Sequence, residues 1–304
     1  MTTRRDILLG CLCAFGSEAI FGVGYVCAKA AVSRVDALAL LGWRFAVAAA
    51  AMGMLAAAGV IRVRLRGKPL RRLAAVGALT VLYYAFETAG IARTTASESG
   101  ALLACIPVAA LAASALILRK KPTRRQTAGI FTTLAGVLAS VFAAGATASF
   151  SASGYAFLAA AAATYALYCV AVDVAARDFT GAEITMAMLA ALATVFAPLA
   201  VVAAAMQGGC GAVAALARLP FEARGFAVPL LWLGLASSIG GFFLANTALS
   251  KAGVNRTASF IGVATLVAVL AGAAFLGETF TAAQAVAAVL IVAGVWIANG
   301  GRGE

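Results

Sequence analysis

The 304-residue chain contains no histidine. That removes Ser-His-Asp and Cys-His catalysis, histidine proton relays and the common imidazole metal sites. Charge is scarce as well: only 11% of residues are charged, against about 25% in soluble domains. A soluble protein of this length could not cover its surface with so few. The six cysteines, Cys11, Cys13, Cys27, Cys105, Cys169 and Cys210, lack the Cys-x-x-Cys spacing of a zinc or redox site and read as small packing residues. No metal, no cofactor and no catalytic constellation is expected, so an enzyme is disfavoured. Basic residues exceed acidic ones by 23 to 11, yet they cluster in segments such as RVRLRGKPLRR (62–72) and RKKPTRR (119–125), without the interleaved stacking aromatics of a nucleic-acid surface. No nucleic acid partner is expected.

What the chain does have is apolar length. Hydrophobic residues make up 64% of it, arranged in runs close to the roughly 20 residues that span a bilayer as a helix. Breaks at charged, Gly or Pro positions leave ten predicted spans: 7–28, 37–60, 73–92, 95–118, 125–145, 153–173, 182–206, 227–249, 254–276 and 280–299. The start, MTTRRDILLGCLCAFG, has the charge pattern of a signal peptide, but its apolar run continues without a cleavage site and reads as the first span. The connection 207–226 is long enough for a short surface helix. Ten spans put both termini on one side, and that side carries 17 Lys and Arg against 5 on the other, with Arg44 inside a span. By the positive-inside rule both termini are cytoplasmic. The Ala- and Arg-rich composition suggests a bacterial inner membrane.

The two halves resemble one another. A shift of 158 positions lays Thr123 on Thr281, Gln126 on Gln284, Gly136 on Gly294 and Arg93 on Lys251; the first span meets the sixth at a shift near 144. Residues 1–148 and 149–304 are then two five-helix units. Five is odd, so the second unit enters the membrane upside down. The expected fold is an all-α polytopic membrane protein of ten transmembrane helices in two inverted five-helix repeats, an architecture of secondary transporters.

Four stretches carry a family resemblance: LGETFTAAQAVAAVLIVAGVWIAN (276–299), its weaker partner LRKKPTRRQTAGIFTTLAGVLAS (118–140), GWRF (42–45) and SKAGVNRTASFIGV (250–263). Together they resemble the ten-helix, EamA-type branch of the drug/metabolite transporter superfamily. Members export or exchange amino acids, other metabolites, nucleotide sugars or drugs, and the exporters of aromatic amino acids of the YddG-like kind are the first to compare. The first copy departs from the family's Leu-Gly-Glu with Leu118-Arg119-Lys120, which argues that Glu278 in the other copy is a helix-connection residue.

A carboxylate at bilayer depth costs at least ~2.5 kcal/mol and needs a partner, a proton or a water-filled cavity. Glu18 is such a residue, and at helical spacing it shares a face with Phe21 and Tyr25. Tyr83 and Tyr84 lie one turn before Glu87, Tyr165 and Tyr168 mark the sixth span, and Ser238, Phe242 and Asn246 form a stripe on the eighth, with Phe242 on Tyr84 under the repeat. Spans 1, 3, 6 and 8 would thus enclose an aromatic, sparsely polar substrate pocket. Each ring alone reads equally as core packing. Arg44 is expected to fix the bundle in an ion pair with a carboxylate, a structural role preferred to the alternative of substrate binding. Glu98 is expected to be solvated or paired with Arg93. Pro107, inside the fourth span, is expected to break a backbone hydrogen bond and act as a hinge.

These readings converge on a monomeric carrier, partnered by the lipid bilayer and a small-molecule substrate, that exports small amphiphilic metabolites, aromatic or neutral amino acids foremost, by alternating access. The alternative is proton-coupled efflux of lipophilic cations. The small four-helix relatives in the superfamily use a first-helix glutamate in that way, and Glu18 would take the part. A channel would need a polar stripe along a whole pore; here the polar positions concentrate locally.

Overall fold

Each of the ten apolar runs becomes helix in the computed structural model, which describes residues 4–32, 35–94, 99, 102–143, 151–223, 225–276 and 281–299. The segments are α1 (Arg4–Val32), α2 (Ala37–Ala57), α3 (Arg71–Ile91), α4 (Ile106–Ile117), α5 (Arg124–Ala143), α6 (Ala152–Ala175), α7 (Gly181–Glu222), α8 (Ala227–Ala252), α9 (Val254–Phe275) and α10 (Ala282–Asn299). All but α4 and α5 are long and apolar enough throughout to cross a membrane. Helix is forced on such runs because a bilayer offers the backbone no other hydrogen-bond partner. Among the described residues there is no strand. The 148/149 repeat boundary, Glu98 and Glu278 lie outside the described residues.

Local chemistry sets the helix starts. The Asp36 side chain accepts from the Leu38 amide to cap α2, and Thr180 with Glu183 forms a reciprocal capping box on α7. Two further starts repeat one another. Thr123 accepts from the Gln126 amide at 3.2 Å while Gln126 accepts from the Thr123 amide at 3.0 Å; Thr281 and Gln284 make the same pair of bonds at 3.2 and 2.9 Å. The aligned sequence positions therefore do the same work in both halves.

One expectation changes. Pro107 does not interrupt a helix interior: it sits in the first turn of α4, just after the turn at Ala104–Cys105, where a missing amide breaks no intrahelical bond. The segment 207–226 does carry the expected short, largely exposed helix, which runs to Glu222 and is set off from the preceding span by non-helical backbone at Gly208 and Gly209. Gly209 has φ 61° and ψ −148°, a conformation reserved for glycine.

Packing shows that the two repeats are related by an internal twofold. The most extensive helix contacts are α5 on α10, α3 on α6, α2 on α7 and α1 on α8. A twofold that exchanges the halves maps α3–α6 onto α8–α1 and each of the other two pairs onto itself. Single residues obey it. A Cβ at Gly136 would strike Ala287 and Ile291, and one at Gly294 would strike Gly129 and Thr133, which are the same positions shifted by 158. Small residues let these two helices approach until backbone meets backbone.

Candidate functional site

Tyr84 and Phe242, equivalent positions in the two halves, touch each other with ring centroids 6.4 Å apart. Residues related by an axis meet only near that axis, so this contact fixes the centre of the molecule. Around it lies a cavity of about 440 Å³, within the roughly 300–1,000 Å³ of small-molecule sites. Its walls come from α1, α2, α3, α6 and α8, with Ile106 of α4, Met188 of α7 and Ile261 of α9 completing it.

Of the residues expected to bind substrate, Glu18, Phe21, Tyr25, Tyr83, Tyr84, Glu87, Tyr165, Tyr168 and Phe242 all line the cavity. The rings form a continuous chain: Phe21 to Phe242 at 5.7 Å, Tyr84 to Tyr83 at 5.1 Å, Tyr83 to Tyr165 at 5.2 Å and Tyr165 to Tyr168 at 5.4 Å. Their spacings and tilts are those that aromatic quadrupoles favour. Tyr25 is the exception, 58% exposed at the cavity rim.

Ser238 and Asn246 stand one layer back, both fully buried. Asn246 accepts from the Tyr168 hydroxyl at 2.7 Å and donates to Thr185 Oγ1 at 2.9 Å, which fixes the ring at the cavity floor. Ser238 accepts from Arg44 Nε at 2.9 Å.

Arg44 corrects the expectation of a structural ion pair. Among the described residues it has no carboxylate partner, because Asp36 is spent on its cap and Ser237 and Ser238 hold the guanidinium instead. The side chain lines the cavity between Phe45 and Tyr84. The carboxylates of the same cavity differ: Glu87 accepts from the Tyr83 hydroxyl at 2.6 Å, while Glu18, 5% exposed, accepts no hydrogen bond among the described residues. All three charged groups belong to the first repeat. The second has Ala162 where the first has Glu18, and Ala245 where it has Glu87.

The cavity opens where α1 ends, α2 begins and α3 ends, past Val32, Ala37 and Ile91. The opposite end is shut by ion pairs, each joining one repeat to the other. Lys68 binds Glu183 at 2.8 Å, Lys120 binds Asp173 at 2.8 Å, Lys251 binds Asp6 at 2.6 Å, and Arg72 pairs with Asp178. Glu183 is the best satisfied, since the amides of Arg64 and Thr180 donate to it as well. Sequence reading took these lysines and arginines for topology signals alone. Their acidic partners lie far off in the chain, with no spacing to betray them.

An inverted-repeat bundle with a central cavity open at one end and latched at the other defines a membrane transporter. The family model bears this out: the chain belongs to the EamA-like transporter family, whose pattern matches residues 8–142 and again 152–300. A relative from Bacillus subtilis (strain 168), the uncharacterized transporter YcxC, is 28% identical over 278 residues, covering 91% of this chain and 88% of that one. A crystal structure of an 18% identical protein superposes with a TM-score of 0.78 over 95% of this chain and 97% of the other, a likeness of fold.

Proposed function

We propose that the protein is a secondary carrier that exports small amphiphilic metabolites, aromatic or neutral amino acids in particular, by alternating access, with both termini in the cytoplasm of a bacterial cell. The observation that carries this reading is the make-up of one cavity: the carboxylates Glu18 and Glu87 set among a chain of rings. An ammonium group suits the first, and an aromatic or aliphatic side chain suits the second, with cation–π attraction helping both. The excess of Lys and Arg on the terminal side supports the orientation. On that orientation the cavity faces outward and the ion pairs close the cytoplasmic end.

Counterflow of labelled amino acids in proteoliposomes tests the reading. Tyr25→Asp, at the exposed rim, is expected to cut the flux of a neutral aromatic amino acid at least tenfold while the protein stays monodisperse in detergent. Unchanged flux would remove the cavity from the pathway.

One observation favours the second reading, proton-coupled efflux of lipophilic cations: Glu18 faces the cavity without a hydrogen-bond partner among the described residues. If it couples proton to cation, Glu18→Gln abolishes cation efflux and its dependence on pH together. An unchanged pH profile in Glu18→Gln eliminates that role.

A further inference from the structure

We infer that Arg44 receives a carboxylate of the substrate, so that the site takes dipolar molecules bearing both an ammonium and a carboxylate. This rests on the cavity being the transport site.

Three features of the structure lead there. A guanidinium within a bilayer-spanning helix needs a counter-ion, since desolvating a charge without one costs several kcal/mol. Two acids line the same cavity, yet among the described residues neither is the hydrogen-bond partner of Arg44. Arg44 and the two acids thus share one cavity without a hydrogen bond between them among the described residues, and a dipolar ligand offers a counter-charge to each end.

Second, the guanidinium is held in place by neutral acceptors. Ser237 accepts from Nη2 at 3.2 Å and Ser238 from Nε at 2.9 Å. Neutral hydroxyls fix direction without neutralising. The rings of Phe45 and Tyr84, with centroids 5.3 and 5.7 Å from the guanidinium carbon, bracket the group further. A planar fork so fixed matches the geometry of a carboxylate.

Third, the backbone is distorted where the serines sit. Trp232–Gly241 is wound as a π-helix within α8, a form that is rare and concentrated at functional sites. Ser238 donates its own proton to the Leu233 carbonyl five residues back, at 2.7 Å, so its oxygen is left to accept from Arg44. In an ordinary α-helical winding that five-residue partner would belong to the wrong turn.

The test compares substrates in the intact transporter. In counterflow, the wild-type protein is offered phenylalanine, its amide and phenethylamine, which share the ring and the amine and differ at the carboxylate. Phenylalanine is expected to exchange at least tenfold faster than either analogue. Arg44→Gln is expected to lower phenylalanine exchange at least tenfold and to level the three rates, while Arg44→Lys restores part of the preference. The wild-type comparison needs no variant, so a poorly folding Arg44→Gln does not blunt it. Equal wild-type rates for all three overturn the carboxylate site and leave the carrier reading standing. Failure to exchange any amino acid overturns the carrier reading and this inference with it.

Discussion

Gly294→Val is expected to leave almost no folded protein. A Cβ at Gly294 would lie 2.5 Å from the Thr133 amide and 2.6 Å from the Gly129 carbonyl oxygen, with the Thr133 side chain also in the way. Overpacking a core costs typically about 1–3 kcal/mol when side chains can yield. Here the obstacles include backbone, and α5 and α10 must part along their whole contact. The pseudo-twofold adds a control: Gly136→Val, the same lesion from the other side, meets Ile291 and Ala287 at 2.9 Å, and should be damaging but milder. Size-exclusion profiles and thermal unfolding in detergent read both. A monodisperse, wild-type-stable Gly294→Val would refute the close α5–α10 contact.

The second large effect concerns the closed end. Glu183→Ala removes the acceptor of Lys68, of the Arg64 amide and of the α7 capping box in one step. Thr180 still accepts from the amide at position 183, so the box loses only its reciprocal bond to the Thr180 amide, worth about 0.5–1.5 kcal/mol. Lys68 is partly exposed and regains water, so the ion pair adds less than a fully buried one would. A combined loss of about 2 kcal/mol shifts a two-state balance roughly thirtyfold, at about 1.4 kcal/mol per factor of ten. Cys169, buried one turn short of Asp173, is the reporter. In a variant whose other five cysteines are replaced, labelling of Cys169 by a thiol reagent should quicken at least tenfold on Glu183→Ala. An unchanged rate would mean that the ion pairs do not hold this end shut.

Much of the architecture was legible because lipid demands it. Each apolar run of spanning length had to be helix, and Thr123, Gln126, Thr281 and Gln284 disclosed the repeat because capping is a local act between near neighbours. The cavity rings were legible for a related reason: helical spacing places Tyr83 one turn before Glu87, and the repeat lays Phe242 on Tyr84. Where a run is apolar all round, periodicity falls silent. Nothing in WLGLASSIGG signals a π-helix, so the serines that hold Arg44 could not be aimed. Pro107 was misplaced for a like reason, because a continuous apolar run hid the turn in front of it. Arg44 and the ion pairs failed differently: their partners lie more than a hundred positions away, apart from Lys120 with Asp173, and only the fold brings them together.

The lopsided placement of charge has a consequence for how such a protein diversifies. The scaffold is doubled, but the ionic groups of the cavity sit in one copy, while the other offers rings, hydroxyls and alanines. Drift in the second half, at Tyr165, Tyr168 or Phe242, would then resize the room left for a side chain and leave the ionic grip intact. A change at Glu18, Arg44 or Glu87 would alter the kind of head group admitted. Duplication has in effect separated two dials, one for size and one for charge, that a single-copy ancestor pairing with itself would have had to turn together.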